Sequence, residues 1–179
     1  MSILFKILKK IVFLIYAFIN LFNFHFKIKK LDIFLNFIRI SLLRICGAKI
    51  GNNSSIHPQT MILKPDNLVI GENSNIGSNS KIFNYSKVSI GDNVDIGTEF
   101  YVNTDNHVAD DVSKPLAYQG YSSKEIIIGS DIWIGARVTL LSGIKIENRI
   151  VVAAGSVVNK NLESGFMYAG VPASQKKKL

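Results

Sequence analysis

The sequence predicts an all-β fold, a parallel β-helix of hexapeptide repeats, preceded by a short α-helical segment. Three observations carry this expectation. From Ile50 onward an aliphatic residue returns every six positions. Glycine often follows it directly, as in Ile70-Gly71, Ile76-Gly77, Ile90-Gly91, Ile96-Gly97, Ile128-Gly129 and Ile134-Gly135. The hydrophobic excess is concentrated ahead of this repeat, in residues 1–46.

Residues 1–46 read as an apolar, lysine-flanked helical segment. Its strongest run, Ile11 to Ile19, lies between Lys9 and Lys10 on one side and Lys27, Lys29 and Lys30 on the other. A membrane span takes about 20 mostly apolar residues, and Asn20, Asn23, His25 and Lys27 interrupt this one. No small-residue cleavage site follows, so a signal peptide is not indicated. A second helix is expected from about Leu31 to Cys46. Lys29, Asp32, Asn36 and Arg39 recur at helical spacing as one polar stripe, and the rest of the circumference is Ile, Leu and Phe. Gly47 reads as the helix-ending residue. Two destinations stay open for so much apolar surface: a membrane surface, helped by the lysines, or packing against the main domain or within an oligomer.

The net charge of +8 favours anionic partners. Nucleic acid ranks last among them, because the basic residues are scattered singly and no nucleic-acid module is present. Coenzyme A and an anionic membrane fit better. The single cysteine, Cys46, excludes an intrachain disulfide and a cysteine-type metal site. Set among Leu42, Leu43 and Ile45, it reads as a small buried hydrophobe.

Residues 47–175 form the repeat domain. The six-residue phase runs Ile50, Ile56, Ile62, slips by two to Ile70, Ile76, Ile82, and slips again to Ile90, Ile96, Val102. It resumes as Ile128, Ile134, Leu140, Ile146, Val152, Val158. Six is neither a helical period nor that of a plain strand; it is the period of stacked short strands and corners, three to a triangular coil. The aliphatic residue should point into the prism. The position four later should also face inward and is small or apolar: Ser54, Ser74, Ser80, Val94, Val138, Ile144, Ile150 and Ser156. Asn, Asp and Gly at the corners suit tight, left-handed turns. The two slips should be longer corners, one containing Pro65. Residues 176–179 read as a basic, solvated tail.

The repeat breaks at 103–125, NTDNHVADDVSKPLAYQGYSSKE. A loop of this length on a rigid scaffold is a common carrier of function. It holds His107, whose side chain titrates near neutrality and suits general-base chemistry. Asp105, Asp110 and Asp111 are each near enough in sequence to orient the imidazole, and the choice among them is open. His25 and His57 read as structural.

The stretch from Ile126 to Ala173, IIIGSDIWIGARVTLLSGIKIENRIVVAAGSVVNKNLESGFMYAGVPA, carries a specific resemblance. With its IGxxxWIGA, AAGSVVNK and AGVPA pieces in order, the chain resembles the hexapeptide-repeat acyltransferases over about Ile50 to Pro172. The nearest branch is that of the galactoside, maltose and capsular-polysaccharide O-acetyltransferases. The resemblance implies a left-handed β-helix, a homotrimer with sites between neighbouring prisms, and direct acetyl transfer from acetyl-CoA to a sugar hydroxyl. It implies no metal. His107 matches the catalytic base. Ala136 and Ala154 match residues whose backbones contact the pantetheine arm, and an N–H near Gly135 or Ala136 would hold the oxyanion. Trp133 matches the aromatic of the WIG signature. Asn159 and Lys160 match positions at the 3′-phosphate, where the family often has threonine in place of Asn159. Pro172 matches a residue beside the adenine, and Asn84 a residue that orients the acceptor. Surface-glycan biosynthesis at the inner face of the cytoplasmic membrane is the setting this suggests. Two other functions fit the repeat: N-acetylation of a nucleotide-linked amino sugar, and a noncatalytic trimeric scaffold. A larger helical domain, as in serine acetyltransferase, is not visible. The three histidines do not fit the zinc site of a β-helix carbonic anhydrase.

Overall fold

The computed structural model describes residues 3–21 and 29–179; His25 and Lys27 lie outside the described residues. Two helices, α1 (Ile3–Leu21) and α2 (Lys29–Ile45), lead into a three-sided parallel β-helix of about six turns. The end of α2 follows from Gly47, which takes φ +112°. The Gly47 N–H donates to Arg44 O and the Ala48 N–H to Leu43 O, both at 3.0 Å, a paired closure of the last turn. Cys46 is buried beside it, and burial pushes its thiol pKa up.

Each face of the prism is a parallel sheet. The first face stacks Lys49–Ile50, Leu68–Ile70, Val88–Ile90, Ile126–Ile128 and Lys145–Ile146. The second stacks Ser55–Ile56, Asn75–Ile76, Val94–Ile96, Ile132–Ile134, Ile150–Val152 and Phe166–Ala169. The third stacks Met61–Ile62, Lys81–Phe83, Tyr101–Asn103, Thr139–Leu140 and Val157–Val158. The register is in phase with the six-residue repeat, as Ile56↔Ile76 and Ile76↔Ile96 show. All fifteen in-phase aliphatic residues are buried. Each contributes about 1.5–3 kcal/mol of burial relative to exposure.

The second inward position is buried at all eight predicted residues. Its serines have a job that aliphatics cannot do. Ser54 Oγ donates to Gly71 O (2.7 Å), Ser74 Oγ to Gly91 O (2.8 Å) and Ser80 Oγ to Gly77 O (2.7 Å), so corner carbonyls facing inward are satisfied. The corner residues divide the work more finely than expected. The left-handed conformation falls on Asn53, Asn73, Asn93 and Asp131 at one corner and on Gln59, Asn79, Glu99 and Arg137 at the next. The glycines that follow the aliphatic residue are there for close approach: a Cβ on Gly77 would lie 2.5 Å from the Gly97 backbone. Pro65 opens a short 3-10 turn, Pro65–Asn67, in the first longer corner, as expected.

Two members of the polar stripe of α2, Asn36 and Arg39, face the prism, while Asp32 is exposed. Arg39 Nε donates to Ile56 O (2.9 Å), and Asn36 Oδ1 accepts from Ile56 N (3.0 Å). From α1, Tyr16 Oη donates to Thr60 O (2.8 Å), and Asn20 Nδ2 donates to the same carbonyl. Arg44 Nη2 donates to Ile50 O (2.7 Å). Each face of the first coil thus has its open edge closed by a helix side chain. The far end also departs from expectation. Residues 176–178, expected in a solvated tail, belong to a strand, Ser174–Lys178, antiparallel to Phe166–Ala169. Their lysine side chains remain exposed while their backbone covers the last edge of the second face.

Replacing Gly77 with Ala should destabilise the protein by about 1–3 kcal/mol, the usual cost of overpacking. Asn79→Gly, two residues on, should be neutral or slightly stabilising, because the left-handed backbone at φ 60° favours glycine. Urea unfolding of both variants tests this, and equal effects would contradict the division of labour at the corners.

Candidate functional site

The segment that interrupts the repeat is a two-stranded antiparallel ribbon, not an irregular loop. Asp105–His107 pairs with Tyr121–Ser123 in the register Asp105↔Ser123 and His107↔Tyr121. Its base is fixed to the prism. Thr104 O accepts from Lys124 N (2.9 Å) and from Ser142 Oγ (2.6 Å), and Thr104 Oγ1 accepts from Ser86 N (2.9 Å). The tip is tied to itself. Gln119 exchanges two hydrogen bonds with the Asp111 backbone, at 2.9 and 2.8 Å.

Strand alternation places His107 and Asp105 on one face of the ribbon, with Tyr121 and Ser123 opposite them. The His107 imidazole is exposed and lies 4.4 Å, centroid to centroid, from the Tyr121 ring, tilted by 45°. Tyr121 was not foreseen; only the hairpin register reveals it. Of the three candidate orienting carboxylates, none is bonded to the imidazole. Asp105 Oδ1 accepts from Ser123 Oγ (2.5 Å) on the imidazole's own side. Asp111 is committed elsewhere: its carboxylate accepts from Ser113 N (3.0 Å) and Ser113 Oγ (2.6 Å) and pairs with Lys114 Nζ (2.9 Å). These contacts, the Ser113 hydroxyl first, lower its pKa. Asp110 is exposed near the tip.

Most of the other candidates surround the upper part of the third face. Gly97, Gly135 and Ala136, and Ala154 stack at its edge with the second face. There a Cβ on Gly97 would lie 2.6 Å from Ala136 N, and one on Gly135 would lie 2.5 Å from Ala154 N. Ala154 is exposed, and Gly155 has open space where a Cβ would stand, so this corner leaves room for a chain to lie against the backbone. Asn159 and Lys160 are exposed at the opposite edge, on the coil above the ribbon's base. Pro172 is exposed in the turn between the last two strands, and its neighbour Ala173 donates to Val157 O (2.8 Å) on the third face.

Two candidates stand apart. Trp133 projects from the second face, round the corner from Ala136, in a shallow hollow with Asp95, Asp131 and Arg149. Asn84 lies at a long corner that follows Lys81–Phe83 of the third face. It is fully buried, its Oδ1 accepts from Lys64 N (2.9 Å) and its Nδ2 donates to Lys64 O (2.5 Å). Both ends of the amide are used to hold that corner.

A family model described as the hexapeptide repeat of succinyl-transferase matches residues 67–103 and 125–160. The chain is 31% identical over 135 residues to an Escherichia coli protein named as the colanic acid biosynthesis acetyltransferase WcaF, covering 75% of this chain and 71% of that one. It is 33% identical over 135 residues to the galactoside O-acetyltransferase of E. coli, covering 75% of this chain and 65% of that one. Among solved structures it is similar to a hexapeptide-repeat acetyltransferase of Vibrio cholerae complexed with acetyl-CoA. That match has a TM-score of 0.79 and 26% identity, and it covers 99% of this chain and 90% of that one.

The Asp111 contacts predict a local pH response. The carboxyl's folded pKa lies below its ordinary value of 3.8, so the tip's stabilisation is complete above 3.8 and is lost as pH falls through the lowered value. Asp111→Asn should mimic the acid form at neutral pH. It should raise hydrogen exchange at the Ser113 and Lys114 amides while leaving core amides unchanged. Unaltered exchange at the tip would show that Gln119 alone holds it.

Proposed function

The chain belongs to the hexapeptide-repeat acyltransferase family, and from that premise we propose that it moves an acetyl group from acetyl-CoA to a hydroxyl of a sugar in a surface glycan or its precursor. The observation that carries this reading is the placement of His107. The repeat is interrupted once, and the insertion presents an exposed imidazole on a ribbon whose base is bonded to the prism. A scaffold protein has no use for that arrangement.

In the proposed reaction His107 takes the proton of the acceptor hydroxyl as its oxygen attacks the thioester carbonyl. The carbonyl oxygen becomes an oxyanion. The C–S bond then breaks, and the imidazolium returns the proton to the departing sulfur, giving an acetyl ester and free CoA. The oxyanion needs a donor aimed at it in advance. Gly135 N already donates to Val152 O (2.8 Å), which favours the Ala136 N–H for that role. Tyr121 holds one side of the imidazole, and Asp105 stands on its face of the ribbon as the carboxylate best placed to bias its tautomer. Within one chain the ribbon and the alanine corner make no hydrogen bond to each other. The reading therefore has the ribbon of one protomer reach the groove of the next in a trimer. The names of the similar proteins, which concern colanic acid and galactosides, support a carbohydrate acceptor.

Purified protein should release CoA from acetyl-CoA only when a suitable sugar, nucleotide sugar or glycan fragment is added, and mass spectrometry should find an ester. An amide on an amino sugar would replace the hydroxyl reading, and failure to bind acetyl-CoA would remove the enzymatic one. His107→Ala should lower kcat by about 10²–10⁴, the usual worth of a general base, with little change in KM for acetyl-CoA. Tyr121→Ala should lower kcat by about 2–10-fold, in line with a lost ring contact, and Tyr121→Phe should restore it.

A further inference from the structure

The charge of the molecule is divided very unevenly. Residues 1–46 hold eight Lys and Arg against Asp32 alone, a net +7, whereas residues 47–179 hold 13 basic and 12 acidic residues, a net +1. The helical preface therefore carries nearly all of the +8. It also carries most of the exposed large apolar side chains on regular elements. On α1, Leu4 is 76% exposed, Leu14 67% and Phe18 62%; on α2, Ile33 is 61% exposed and Phe37 65%.

The direction these side chains face is set by the hydrogen bonds at the base of the prism. Tyr16 and Asn20 of α1, and Asn36 and Arg39 of α2, all bond to the first coil. Their opposite faces must look away from the prism. In α1 the outward positions Leu4, Ile11, Leu14 and Phe18 recur at helical spacing, and Lys6 and Lys10 are exposed beside them. The two helices contact each other, so their outer faces lie side by side, apolar and flanked by the exposed ammonium groups of Lys6 and Lys10.

We propose that these outer faces are a docking surface for an anionic lipid bilayer, with the helices lying in the headgroup region and the prism standing off the membrane. Charge complementarity selects this occupant. A second copy seated on the same faces would bring Lys6 and Lys10 of the two copies towards each other, whereas phosphate headgroups neutralise them. The anchoring of α1 through Tyr16 and Asn20 keeps it flat, and among the described residues no helix is long and apolar enough to cross a membrane. An amphipathic helix with lysines beside a wide apolar face suits the interface between headgroups and acyl chains. The inference goes beyond acetyl transfer and does not depend on it.

The test is co-sedimentation of the full chain with phosphatidylglycerol-containing vesicles and with pure phosphatidylcholine vesicles. Partitioning should be at least about tenfold stronger on the anionic vesicles and should weaken with added salt. Lys6→Glu with Lys10→Glu, and separately Leu14→Asp with Phe37→Asp, should each reduce it by about tenfold or more, because one removes attraction and the other insertion. Acetyl-CoA binding by calorimetry should be unchanged in both, which separates this surface from the transfer site and reports folding. Equal partitioning of the variants, or none by the parent, would overturn the proposal. So would a concentration-dependent doubling of mass by light scattering that Phe37→Asp abolishes, because the outer faces would then be an interface between copies.

Discussion

A parallel β-helix makes its backbone hydrogen bonds along its axis, from coil to coil. Every coil inside the stack is satisfied by the coils on either side, but the first and last are not, and each leaves a ring of open backbone groups. Both ends of this chain answer that constraint. At the base, helix side chains bond Ile50 O on the first face, Ile56 O on the second and Thr60 O on the third. At the top, Leu162 closes the first face through Lys145 O (3.0 Å), the strand Ser174–Lys178 closes the second, and Gly170 and Ala173 close the third through Val157. The prism interior needs only a repeated aliphatic residue; its ends need specific polar groups in specific places.

That requirement explains how α2 departs from the usual amphipathic rule. Polar residues such as Asn36 and Arg39 on an otherwise apolar helix read naturally as the side turned to water. Here the surface to be covered is an open ladder edge, and amide and guanidinium groups are what it can bond. Arg39 is buried as a result, and desolvation lowers its pKa. The same desolvation raises that of Tyr16, which stays a neutral donor. Turning Asn36 and Arg39 inward leaves Ile33 and Phe37 outside. The lysine-flanked hydrophobic surface is thus a consequence of how the β-helix is capped.

The fold was legible because its signal is redundant. Fifteen in-phase aliphatic residues and eight second inward positions report the same geometry, and all of them are buried. The corners were legible in kind but not in detail. Glycine serves close approach at Gly77 and Gly97, while Asn79, Asn93 and Asp131 take the left-handed conformation. The positions of candidate site residues were legible where they sit on the repeat, since the register fixes the corner they occupy. The alanine corner and the Asn159–Lys160 edge follow from Ile134, Val152 and Val158 by counting. The surroundings of Asn84 were not legible because a longer corner breaks that counting, and its amide bonds the Lys64 backbone. Within the insertion there was no period to count. Proximity in sequence offered three aspartates equally, whereas hairpin pairing brought Tyr121, fourteen residues from His107, against its ring.

The insertion itself shows how a side chain can be added to such a scaffold without disturbing it. Ile70 pairs with Ile90 across a twenty-residue coil, and Ile128 pairs with Ile146 across an eighteen-residue one. Between them Ile90 pairs with Ile128, and the extra length is taken up almost entirely by the ribbon. The prism resumes at Ile126 in register, with Val88 below it. Nothing in the core changes to accommodate residues 105–123, so their sequence is free to vary with chemistry. What the core supplies is a fixed footing: Thr104, Ser86, Lys124 and Ser142 bind the two strands at their exit and return. His107, carried on a paired strand above that footing, is held by the pairing while its side chain remains exposed. The same side chain in an unpaired loop of equal length would have to lose much more freedom to take up one position.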